Sequence, residues 1–199
     1  VTRRLRIAAV AAALVVGTVL AGCSSDPVAD QYLSGENKGY IAGDFRVEEV
    51  PIDQRGEPVE WSGETEHGDE LSSADTAGDV TVVNFWYAEC GPCIAEAPDL
   101  EQVWQEYQDD DVQFIGVNTY NQAATAASFA RDNDVSYPSI IDVNTGAVKL
   151  AFAAETPIQA TPTTLVLDRE GRIAARIIGQ LAGPSVLSTL VGDTLEEQS

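Results

Sequence analysis

Residues 80–93 read Val80-Thr81-Val82-Val83-Asn84-Phe85-Trp86-Tyr87-Ala88-Glu89-Cys90-Gly91-Pro92-Cys93. The first seven are β-branched or apolar apart from Asn84, the composition of a central strand buried on both faces. From Gly91 to about Gln108 the pattern turns helical. Ile94, Ala97, Leu100, Val103, Trp104 and Tyr107 recur at helical spacing, and Pro98 inside the helix should kink it. A buried strand therefore feeds a helix that opens on a Cys-x-x-Cys pair. The first turn of a helix has unpaired amides and about half a unit of positive charge. A thiolate is stabilised there, and in such sites its pKa falls to roughly 3.5–7.5. Cys90, read as the exposed N-terminal sulfur, is the candidate nucleophile. Cys93, one turn inside, is the candidate resolving thiol. Pro92 suits the first helical turn and stiffens the pair.

Other uses of two such cysteines fit poorly. A zinc site needs a second ligand pair, and the chain has one further Cys and a single His, His67. Covalent haem attachment needs His after the second Cys, where Ile94 stands. A purely structural bridge would close too small a loop to add much stability. The residues imply no metal and no cofactor.

Toward the C-terminus, Val112–Asn118 reads as a second buried strand and Ala123–Asp132 as a second helix. Pro138–Asp142 reads as a short strand and Gly146–Ala153 as a short helix. Thr163–Leu167 and Arg172–Ile178 are strands joined by a turn at Asp168-Arg169-Glu170-Gly171, and Gly183–Leu195 is a last amphipathic helix. The order β-α-β-α-β-α-β-β-α gives an α/β fold, helices flanking a central mixed sheet closed by an antiparallel hairpin. Toward the N-terminus, Val59-Glu60-Trp61-Ser62 and Leu71-Ser72 flank Glu66-His67-Gly68-Asp69. That pattern predicts a β-hairpin with Gly68 in its turn.

The first 22 residues differ from the rest. Arg3, Arg4 and Arg6 precede an apolar run, Ile7–Leu20, of 14 residues without charge or Pro. As a helix that run rises about 21 Å, short of a ~30 Å hydrocarbon core, so it reads as an export signal. It ends Leu20-Ala21-Gly22-Cys23, which resembles the bacterial lipobox. The resemblance implies cleavage before Cys23 and a lipid on that residue. Residues 23–44, bearing Ser, Asp, Gly and Asn with weak periodicity, read as a flexible tether. Residues 45–199 read as one folded domain.

Charge excludes some partners. The 199 residues hold 11 Lys and Arg against 32 Asp and Glu, a net charge of −21. Removing residues 1–22 takes three of the basic residues and none of the acidic ones, moving the net charge to −24. Such a surface argues against a nucleic-acid partner and repels anionic headgroups, leaving membrane attachment to the lipid.

The run Asn84–Cys93, followed by Glu96 and Pro98, resembles the membrane-anchored thioredoxins of the TlpA/ResA-like branch, over roughly Val59–Leu190. Ala160-Thr161-Pro162-Thr163-Thr164 resembles that family's cis-proline segment. The resemblance implies a thioredoxin fold with an N-terminal β-hairpin and an inserted strand–helix segment at Thr119–Tyr137. It implies a cis bond at Thr161–Pro162 facing Cys90, and substrate contact through Trp86, Thr161 and Pro162. It implies an extracytoplasmic, lipid-anchored thiol–disulfide oxidoreductase acting as a monomer on a disulfide-containing protein. A family-typical target is apocytochrome c, and the electrons come from a membrane donor fed by cytoplasmic thioredoxin. The Gly-Pro dipeptide between the cysteines is that of reducing thioredoxins. Net oxidase or isomerase activity is the main alternative, and a peroxiredoxin-type peroxidase a weaker one.

Three positions depart from the family pattern. Asn84 stands where thioredoxin has a buried Asp, and Asn121 where ResA-like proteins carry Glu. Glu89 replaces the usual Trp before the first Cys. With no titratable group at 84 or 121, the candidate proton relay is Glu89 or a water chain. Glu96 is expected on a solvated helical face or bonded to the insert.

Overall fold

A computed structural model describes residues 41–42 and 46–197, all within one compact unit. The expected export signal, Cys23 and most of the expected tether lie outside the described residues. In chain order the elements are β1 Ile41–Ala42, β2 Arg46–Glu49, a 3-10 turn Ile52–Gln54, β3 Ser62–Glu64, β4 Glu70–Ser72, β5 Val80–Trp86, α1 Gly91–Tyr107, β6 Val112–Asn118, α2 Ala123–Asp132, β7 Ser139–Ile141, α3 Ala147–Ala153, β8 Thr163–Leu167, β9 Ile173–Ile178 and α4 Pro184–Glu196.

The main sheet runs β1-β2-β9-β8-β5-β6-β7. β5, β6 and β7 are parallel, and β8, β9, β2 and β1 are joined antiparallel. β5 lies at the centre and all seven of its residues are buried, as its composition requires. Its side chains alternate between two cores. Val80 and Val82 join Leu100, Val103, Phe114, Leu187 and Val191 beneath α1 and α4. Val83 and Phe85 join Ile115, Leu165 and Phe152 on the face covered by α3.

The β-α-β-α-β-α-β-β-α order holds, and the mixed sheet is flanked by helices as expected. Other details differ: the insert expected as strand and helix at Thr119–Tyr137 holds only the helix α2, and the next strand, β7, begins after it. The hairpin strands are β3 and β4, so Val59 and Trp61 lie ahead of the ladder, buried against the second core. Gly68 sits in the turn at φ 89°, a left-handed conformation that favours glycine. The hairpin is a separate two-stranded sheet. It meets β7 through a bridge between Thr65 and Ile140, and the Ser139 amide donates to a Glu66 carboxylate oxygen at 2.8 Å. These contacts cover an otherwise open sheet edge.

The paired chain also begins earlier than expected. β1 lies inside the stretch read as tether, and β2 pairs with β9 from Arg46↔Ile178 to Glu49↔Ala175. These short segments lack the apolar runs that mark a strand locally. The pairing of β2 depends on β9, more than 120 residues away in sequence, and β1 pairs in turn with β2. α1 continues as helix through Pro98. Ile94, counted on its apolar face, is 44% exposed beside the cysteines, because the buried stripe runs Cys93, Ala97, Leu100 and Val103.

Candidate active site

β5 delivers the chain to the N-terminus of α1. After Trp86 the chain turns, with the Cys90 amide donating to the Tyr87 carbonyl at 3.2 Å. Cys90 takes the N-cap position in extended conformation, with Pro92 in the first helical turn. Its Sγ accepts from the Cys93 amide at 3.2 Å, so the sulfur sits where the helix offers free N–H groups. Cys90 and Cys93 are joined as a disulfide.

The loop before β8 supplies the opposing wall. The Thr161–Pro162 peptide bond is cis, and the Thr161 carbonyl oxygen lies 3.8 Å from Cys90 Sγ. β8 begins its ladder at Thr163, so Thr161 is left beside the sulfur, beyond the paired strand.

One expectation about exposure is corrected here. Cys90 is as buried as Cys93, each 3% exposed, because the N-cap position tucks it between Thr161 and the helix. Gly91 and Pro92 carry the exposed surface between them. Trp86, expected to contact substrate, is buried at the end of a strand covered on both faces. Its Nε1 donates to Ser139 Oγ at 3.2 Å and its ring packs 4.4 Å from Phe129, so it forms the floor of the site.

The carboxylates also exchange places relative to expectation. Glu89 is exposed, and both its oxygens accept from Asn121 Nδ2, at 3.1 and 2.8 Å. Asn121 in turn accepts from the Ala88 amide at 2.7 Å, fastening the insert to the segment before Cys90. Glu96, expected on a solvated face, is fully buried. One of its oxygens accepts from Asn84 Nδ2 at 2.9 Å and the other from the Leu181 amide at 2.9 Å, so its partners belong to β5 and to the loop before α4. Burial raises its pKa to about 7, partly opposed by those two hydrogen bonds. Asn84 also donates to Thr164 Oγ1 at 3.0 Å. It cannot titrate, but it orients the group that can.

Beneath Cys93 is a cavity of about 10 Å³ lined by residues that include Cys93, Asn84, Trp86, Tyr137 and Ser139. That volume is at the lower limit for one water. Sequence reasoning favoured Glu89 and placed Glu96 on the surface or against the insert. The available signal was its place three residues after Cys93, on the same side of α1 as the buried Ala97 and Leu100.

A strand-to-helix junction with paired cysteines at the helix N-terminus, faced by a cis-proline loop, defines a thioredoxin-fold thiol–disulfide oxidoreductase. The chain belongs to the Redoxin family, whose model matches residues 54–190. It is 28% identical over 140 residues to the thioredoxin-like protein YneN of Bacillus subtilis, covering 69% of this chain and 78% of that one. It is also 28% identical over 106 residues to the thiol-disulfide oxidoreductase ResA of Halalkalibacterium halodurans, covering 53% of this chain and 57% of that one. Among solved structures, a DsbF homologue from Corynebacterium diphtheriae matches with a TM-score of 0.65 and 30% identity, covering 74% of this chain and 92% of that one. A secreted thiol-disulfide isomerase from Corynebacterium glutamicum matches at 24% identity with a TM-score of 0.67, over 75% of this chain and 92% of that one, a likeness of fold.

Proposed function

We propose that this chain is an extracytoplasmic, lipid-anchored reductant of protein disulfides, attached through Cys23, with apocytochrome c as the leading target. Trp86 aside, the substrate-facing groups are the Cys90 sulfur and the Thr161–Pro162 segment. Thr161 offers its backbone to an extended substrate strand, a mode in which main-chain hydrogen bonds hold the peptide and the cysteine finds its partner. The observation that carries the reading is the Cys90 sulfur at the free N–H end of α1, 3.8 Å from the Thr161 carbonyl oxygen.

In the reductive cycle, the Cys90 thiolate attacks one sulfur of the substrate disulfide. The substrate S–S bond breaks, its other sulfur leaves as a thiolate, and a mixed disulfide forms. Cys93 then loses its proton and attacks Cys90 Sγ. The mixed disulfide breaks, the second substrate thiolate leaves, and the enzyme holds the Cys90–Cys93 disulfide. Two electrons have passed to the substrate, and two protons complete its thiols. We assign the proton leaving Cys93 to Glu96 rather than Glu89. Glu96 is the buried carboxyl group with a pKa near neutrality, and Asn84 ties it to the cavity beneath Cys93. A membrane donor fed by cytoplasmic thioredoxin returns the dithiol.

The test is Cys93→Ala. This variant retains the nucleophile and lacks the resolving thiol, so substrates accumulate as mixed disulfides on Cys90, identified by mass spectrometry. Trapping by Cys90→Ala instead would reverse the two roles. The reduction potential of the pair separates a reductant from an oxidase or isomerase.

A further inference from the structure

Near the cysteines in the chain stand an exposed carboxylate and a tyrosine against which an exposed ring packs. Tyr120 is 71% exposed and packs against half-buried Tyr87, with ring centroids 5.7 Å apart. Between Tyr87 and Cys90 in sequence stands Glu89, an exposed carboxylate fixed by two hydrogen bonds from Asn121, the neighbour of Tyr120. Among the described residues no cationic side chain pairs with Glu89. Its negative charge is thus held in place by a neutral amide and left uncompensated. Asn121 is itself anchored, accepting from the Ala88 amide and donating its own amide to Asn118 Oδ1 at 2.6 Å, so little ordering remains when a ligand binds. A carboxylate fixed by Asn121, whose chain neighbour Tyr120 presents an exposed ring, suits a cation that can meet the ring quadrupole and the charge together.

Resting on the oxidoreductase reading above, we propose that Glu89 and the Tyr87–Tyr120 pair form a specificity pocket for a Lys or Arg side chain adjacent to the cysteine that Cys90 attacks. The substrate class is then a disulfide-bearing segment with a basic residue beside the disulfide. Glu89 acts here as a binding group.

The test uses the full chain and two disulfide-bridged peptides differing only in Lys or Gln beside the cysteine, with kcat/KM measured for each. Wild type prefers the Lys peptide by roughly fivefold at low salt, and the preference shrinks as salt rises. Taking the ratio cancels any effect of Glu89 on the Cys90 thiolate. Glu89→Gln and Tyr120→Ala each bring the ratio toward one, while Tyr120→Phe keeps it, because the ring face remains. Asp109→Asn, past the far end of α1, removes the same charge and leaves the ratio unchanged. A wild-type ratio of one, or equal losses in Glu89→Gln and Asp109→Asn, overturns the pocket while turnover of the Gln peptide upholds the oxidoreductase reading. If wild type reduces neither peptide nor the small neutral hydroxyethyl disulfide, that reading fails and the pocket falls with it.

Discussion

Burial of Glu96 links the protonation of one carboxyl group to folding and, in the proposed cycle, to thiol exchange. Its pKa is raised from 4.5 to about 7, chiefly by desolvation. The folded state therefore favours the protonated form. The associated stability is fully present below about pH 4.5 and is lost as pH rises through about 7. The ceiling on this effect is on the order of 3 kcal/mol. Glu96→Gln is neutral at every pH, so it should flatten this part of the profile even where its absolute stability differs. Thermal unfolding at pH 5 and pH 8 checks this: wild type loses stability over the interval, and the variant loses less. Equal losses would remove Glu96 from the titration. Glu89, by contrast, faces solvent and its geometry serves recognition at the rim.

At the scale of elements, the site depends on how closely β5, β6 and β7 approach beneath it. Gly116 of β6 stands between Asn84 of β5 and Ser139 of β7 in the sheet register. A Cβ at this position would collide with Ser139 Oγ and lie 2.7 Å from Trp86 Nε1. The missing side chain lets Trp86 reach across to Ser139 and close the floor under Cys93. Gly116→Ala should cost roughly 1–3 kcal/mol of stability through overpacking. It should also shift the tryptophan emission and slow disulfide exchange. Urea unfolding and fluorescence on the same sample check it, and unchanged values for both would show that the floor adapts freely. α1 is the complementary element: its free N–H end meets the sulfur at one surface, and its Cys93–Val103 stripe enters the core below.

At the scale of the whole molecule, a buried ionic cluster fastens the N-terminal segment to the domain. Arg55 and Asp168 pair at 3.0 Å with side chains 1% and 0% exposed. Arg55 also reaches Glu197 beyond α4, and Asp168 also pairs with Arg172. The cluster thereby joins the segment after β2, the β8–β9 turn and the C-terminus of α4. Removing one member of a buried pair leaves an uncompensated charge, which typically costs 3–5 kcal/mol. Asp168→Ala should therefore unfold at markedly lower urea, by roughly that amount. Because Asp168 lies past the opposite end of β8 from Thr161, exchange by the folded variant should persist. Loss of activity in fully folded protein would instead tie the cluster to the site.

The sequence by itself determined the strand–cysteine–helix junction, the order of elements and the pairing of Cys90 with Cys93. Each of these is written in local pattern: the β-branched run of β5, the helical period after Gly91, and the cap position at the helix start. The tertiary structure alone decided which polar side chains lost water and which partners the buried groups met. Glu96 is buried by partners 12 and 85 residues away, and Trp86 is fixed by Ser139, 53 residues away. The joining of β2 to β9 likewise waited on a distant edge. Desolvation depends on what packs over a residue from elsewhere in the chain. Local sequence therefore showed where the sulfur chemistry sits, and the fold chose the carboxylate buried behind it and the one left at its rim.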